Sequence, residues 1–183
     1  MRNMRMFVLS LTVAALAQAA LAEADVTGDP GLFSRIEAGI VCAAENGRRE
    51  PAPGTRLGYV YKVGGDLTLG LSTRRVPALP GLSFGVLATA AEGNEALGVT
   101  IIVTHPPMGA EGSTRDTWDS NFFAGSPTAS FFRFEYPEER VPGEWTIQAV
   151  AGDRVLYSAR FEVVTPDAMP DFVDPCQKQP QVS

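Results

Sequence analysis

Apolar and polar residues alternate with a period of two along most of this chain, the signature of half-buried strands. Within 35–44, Ile36, Ala38, Ile40 and Cys42 share one face. Within 57–63, Leu57, Tyr59 and Tyr61 do the same; Gly64-Gly65-Asp66 turns the chain, and the alternation resumes over 67–71. A rigid Pro-bearing connector over 76–81 leads to a strand over 83–91. The β-branched run 98–105 reads as a strand stopped by Pro106-Pro107. Residues 129–136 alternate again, and 144–151 and 154–164 face each other across Gly152-Asp153 as a hairpin. Residues 32–37 and a short turn near Pro137 are the only helical candidates, and all 14 prolines lie beyond residue 22. The pattern predicts an all-β, antiparallel sandwich of about seven to nine strands. Two stretches lack a period: the polar segment 43–56 and the long loop expected over 106–128.

The N-terminus departs from this pattern. Arg2 and Arg5 precede a run of about a dozen mostly apolar residues and then Ala20-Leu21-Ala22, a small-x-small cleavage pattern, so cleavage is expected between Ala22 and Glu23. The run is shorter than the ~20 residues of a spanning helix. The expected division is a signal peptide over 1–22, a linker over 23–34, a sandwich over 35–165 and a Pro-rich tail over 166–183. The implied destination is the periplasm or the outside of the cell, with no stable membrane insertion after cleavage.

Loss of Arg2 and Arg5 takes the net charge from −6 to −8. An acidic surface repels phosphate backbones, so nucleic acid is not an expected partner. The basic pairs Arg48-Arg49 and Arg74-Arg75 read as solvated turns. Two cysteines, Cys42 and Cys176, sit near opposite ends of the mature chain. An oxidising compartment favours a disulfide between them, tying the tail back; a buried Cys42 with a free Cys176 is the alternative.

The segment Val141-Pro142-Gly143-Glu144-Trp145-Thr146-Ile147, then Gly152-Asp153 and Phe161-Glu162-Val163-Val164, resembles the closing hairpin of secreted immunoglobulin-like domains. Trp145 would plug the sandwich end, with Phe161 and Val163 inward. Taken with Gly39-Ile40-Val41-Cys42, Val76-Pro77-Ala78, Phe84-Gly85-Val86 and His105-Pro106-Pro107, the pattern resembles an uncharacterised bacterial family known only as a domain of unknown function. That resemblance spans 36–164 and implies an immunoglobulin-like sandwich with no catalytic residues to carry over.

The chemistry-bearing residues are few. His105, the one histidine, has Ser113, Asp116, Asp119 and Ser120 downstream, the parts from which a hydrolase would be built, but no G-x-S-x-G elbow is present. Asp116 with Asp119, and Glu138 with Glu139, read as a solvated acidic rim rather than paired glycosidase carboxylates. Asp116, Asp119 and Asn121 offer oxygen ligands without a calcium-loop spacing. No cofactor or metal is implied. The aromatic set Trp118, Phe122 and Phe123 in the expected long loop, beside His105, is the candidate contact surface for a protein or a glycan, Trp118 being the sugar-stacking ring. The alternative is that the loop folds back and these rings cap the sandwich. The function expected is a non-enzymatic binding or interaction domain.

Overall fold

The computed structural model describes residues 25–42, 47–62 and 67–177. The expected signal peptide, its cleavage between Ala22 and Glu23, and the turn at Gly64-Gly65-Asp66 lie outside them. The chain forms two facing sheets. The first is ordered β1 (Val26–Gly28), β12 (Arg154–Val164), β11 (Gly143–Ala151), β8 (Ala96–Met108) and β9 (Ser113–Phe122). The second is ordered β10 (Pro127–Arg133), β7 (Ser83–Ala90), β2 (Phe33–Cys42) and β5 (Thr68–Ser72). β6 (Arg75–Pro77) pairs with β12 in parallel, whereas the other strand pairs are antiparallel. A separate hairpin, β3 (Arg48–Pro51) and β4 (Tyr59–Lys62), completes the set. The fold is a mostly antiparallel β-sandwich, with more strands than the seven to nine expected.

The core follows the alternation. Val99, Ile101, Val103 and His105 point inward from β8, and Trp145, Ile147 and Ala149 from β11. Phe84, Val86 and Ala88 from β7 and Phe161 and Val163 from β12 close it. Trp145 is fully buried, and its indole N–H donates to the Val141 carbonyl at 3.0 Å. The segments that carried the family resemblance meet one another here. Gly39 pairs across the sheet with Gly85, Val76 pairs with Val163, and His105 stacks on Trp145 with centroids 4.8 Å apart.

Five segments differ from their sequence reading. The expected loop 106–128 is mostly strand. β8 runs through Pro106-Pro107 to Met108, the register slipping between Thr104 and Met108, and a bulge tolerates proline because ladder hydrogen bonds are already broken there. Gly143, at φ 140°, leaves room for the Pro106 ring, which a Cβ would meet at 2.7 Å. After a turn at Gly109 and Gly112, both at positive φ, β9 returns as an edge strand. The segment 43–56 contains β3, the connector 76–81 opens within β6, the linker contains β1, and 32–37 enters a strand instead of a helix. The arginine pairs are not solvated turns: Arg48 and Arg49 belong to β3, and Arg74 donates to the Ala38 carbonyl.

Cys42, at the end of β2, is bonded to Cys176 in the tail, as expected, across a separation of 134 residues. The tail reaches β5: a Cβ on Gly70 would meet the Cys42 sulfur at 2.6 Å and Pro175 at 2.9 Å. Phe172 packs against the core on the way.

Candidate functional site

The surface expected from Trp118, Phe122 and Phe123 does not form. All three belong to β9 or its exit, and strand alternation sends their rings to different places. Phe122 is fully buried, edge-on to Phe33 with centroids 5.1 Å apart. Trp118 is half-buried against the core, and only Phe123 is exposed. Phe132 packs on the core with Phe134.

His105 and Asp116 do come together, but inside the protein. Their side chains are 0 and 5 % exposed, so neither meets a substrate from solvent. The His105 Nδ1–H donates to the Pro106 carbonyl at 2.9 Å. Nε2 lies 3.3 Å from Asp116 Oδ2, an ion-pair distance without the direction of a good hydrogen bond. The expected oxygen cluster is split, because Asp116 faces inward while Asp119 and Asn121 occupy the opposite face of β9. Among the described residues no group of three or more His, Cys, Asp or Glu is arranged to hold a metal ion.

The buried carboxylates instead seat the β3–β4 hairpin. Asp116 Oδ1 accepts the Arg56 backbone N–H at 2.5 Å, and the Arg56 guanidinium reaches Glu139 at 2.5 Å. The second Glu139 oxygen accepts the N–H groups of Glu135 and Tyr136 at 2.7 and 2.9 Å. Glu139, expected on a solvated rim, is buried in the 3-10 turn Pro137–Glu139; Glu138 beside it is half exposed and 3.5 Å from Arg56. Thr117 of β9 adds a backbone hydrogen bond to Gly54 at 2.9 Å.

On this seat three of the four tyrosines gather. The register pairs Arg49 with Tyr61 and Pro51 with Tyr59, so Arg49, Tyr59 and Tyr61 share one face of the hairpin. Arg48, Glu50 and Lys62 take the other, where Glu50 accepts from Arg48 at 2.8 Å and Lys62 at 3.1 Å. The Arg49 guanidinium lies 4.4 Å from the Tyr59 ring centroid and 5.4 Å from that of Tyr61. Its Nε–H and an Nη2–H both donate to the Tyr61 hydroxyl, at 3.1 and 3.0 Å. The Tyr61 hydroxyl, then the two nearby rings, push the Arg49 pKa up. The Tyr59 and Tyr61 rings stand at 82° with centroids 5.5 Å apart. Tyr136, 40 % exposed, completes the set, with Arg56 5.8 Å from its ring centroid. Burial first, and hydrogen bonding with Tyr136 second, raise the Tyr59 phenol pKa. Burial, then the neighbouring Glu139 charge, raise that of the Glu135 carboxyl.

Sequence reasoning missed this set. Tyr59 and Tyr61 read as ordinary alternation and Arg49 as a turn residue. The available signal was Arg49 preceding a strand that carries tyrosines at i and i+2, the spacing that lets a cross-strand cation meet two rings.

The family profile of DUF3859, a domain of unknown function, matches residues 32–163. The chain belongs to this family. The match runs from the residue before β2 almost to the end of β12, so the DUF3859 segment holds Cys42 and the hairpin, while β1 and Cys176 lie outside it. Among solved structures, an immunoglobulin-like protein from Pseudomonas aeruginosa is similar at 23 % identity and a TM-score of 0.49, covering 78 % of this chain and 99 % of that one. No curated protein matches.

Proposed function

We propose that this DUF3859 protein is an exported, non-enzymatic interaction domain that contacts a partner protein through the tyrosine–arginine face of the β3–β4 hairpin. The observation that carries the reading is Arg49 held between Tyr59 and Tyr61 on a hairpin outside both main sheets. Tyrosine and arginine, with tryptophan, are enriched at the energetic centres of protein interfaces. They supply large amphipathic contact area at low conformational cost.

The disulfide fits an oxidising compartment, and no helix among the described residues is long and apolar enough to cross a membrane. The disulfide supports export. The sealed His105–Asp116 pair supports the non-enzymatic reading, since a general base must reach its substrate. A protein partner is favoured over a glycan by ring geometry. Sugar stacking uses open ring faces, whereas Arg49 covers Tyr59 and the two rings are nearly perpendicular.

The test is site-specific photo-crosslinking in the exporting cell. A photoreactive phenylalanine at position 61 is expected to give discrete protein adducts that weaken when Arg49→Ala is added. The same probe at Phe123 is the control. An adduct pattern identical at both positions, or none at 61, defeats the proposal.

A further inference from the structure

We infer that the partner presents an acidic segment, and that one of its carboxylates docks on Arg49. The inference rests on the hairpin being the contact surface. Charge is its first support. Arg56 is taken up by Glu139 and Glu138, and the remaining charges of residues 48–62 are Arg48, Arg49 and Lys62 against Glu50, a net +2 in a chain of net −6. Such a local inversion steers an oppositely charged partner to this hairpin and away from the rest of the surface.

The state of Arg49 is the second support. Among the described residues no carboxylate lies within ion-pair distance of it; Glu135 feels its charge from further away. Among the described residues its two hydrogen bonds run from Nε and Nη2 to one hydroxyl, and none runs from Nη1. An exposed arginine ordinarily loses rotamer freedom when it pairs. Here the Tyr59 ring and the Tyr61 hydroxyl have already fixed the guanidinium, so an incoming carboxylate meets a pre-organised donor. On the reverse face Glu50 neutralises part of Arg48 and Lys62, which remain 83 and 73 % exposed and extend the positive field. The surface thus combines an immobilised cation, flanking rings and diffuse positive charge, the complement of an acidic peptide.

The probe is a fluorescein-labelled twelve-residue peptide of alternating glutamate and serine, with a lysine–serine peptide as its counterpart, read by anisotropy on the full mature protein. The glutamate peptide is expected to bind, with affinity falling as salt rises. Arg49→Ala is expected to weaken it by at least about tenfold, the loss of one charge-assisted pair. Tyr61→Ala is expected to weaken it as well, by freeing the guanidinium. Equal binding of the two peptides, or indifference to Arg49→Ala, overturns the inference. So does dextran sulfate binding equally tightly to wild type and Tyr61→Ala, which would mark simple ion exchange. Thermal unfolding of each variant establishes that it is folded. The two proposals separate cleanly. If position 61 crosslinks a protein whose capture is unchanged by Arg48→Glu with Lys62→Glu, the interaction surface stands and the acidic partner falls. If position 61 gives no adducts, both fall.

Discussion

Glu139 joins three backbone and side-chain groups through two oxygens, from a position 1 % exposed. Truncating it strands the Arg56 guanidinium and two N–H groups. Glu139→Ala is therefore expected to cost about 3–5 kcal/mol, seen as a lower denaturant midpoint, the effect of breaking one side of a buried ion pair. Tyr157 behaves oppositely. Its hydroxyl is buried without a well-formed hydrogen bond, so Tyr157→Phe is expected to be neutral or to stabilise by up to about 1 kcal/mol. Glu135 gives a pH signature. Its folded-state pKa is raised by burial, so the folded protein binds this proton more tightly than the unfolded chain. Its contribution is fully present below the ordinary carboxylate range of about pH 4 and is lost as pH rises through the raised value. Glu135→Gln should accordingly raise the thermal midpoint at pH 7 and leave it unchanged near pH 4. None of these roles is legible in sequence, because Glu139, Arg56 and Asp116 are brought together only by the return of β9 and the turn after β10.

Strands whose inward positions are apolar were legible, and β8, β11 and β12 emerge where alternation places them. β9 was not: its inward set is Asp116, Trp118, Ser120 and Phe122, half polar, and its outward set is polar throughout. The inward aspartate is tolerable because His105 and the Arg56 N–H meet it, partners that no local pattern announces. Pro106-Pro107 likewise read as a stop because the bulge that accommodates them depends on Gly143, a residue of another strand. The second sheet has its own requirement. A Cβ on Gly39 would run into the Leu71 carbonyl, and one on Gly85 into Ser130 and Phe131. Gly85→Ala is expected to destabilise by about 1–3 kcal/mol in equilibrium unfolding, because backbone on the neighbouring strand yields less readily than a side chain.

Across the whole molecule, the two-layer architecture was readable from alternation and the Cys42–Cys176 bond from a lone cysteine pair. The hairpin's position was not, since nothing in 47–62 states where its tip will rest. Closing 134 residues restricts the unfolded chain, and replacing both cysteines by serine should lower stability by roughly 4–5 kcal/mol in the chain-entropy account. The same bond sets how the protein bears tension. A pull on both ends enters through β1, follows β2 to Cys42 and crosses directly to Cys176, so 43–175 lie outside the path of the force. The oxidised protein should lengthen only by its first strands and its last residues. Reduction should release a further length of roughly 480 Å, the 134 residues at about 3.6 Å each, a difference that single-molecule extension measures directly.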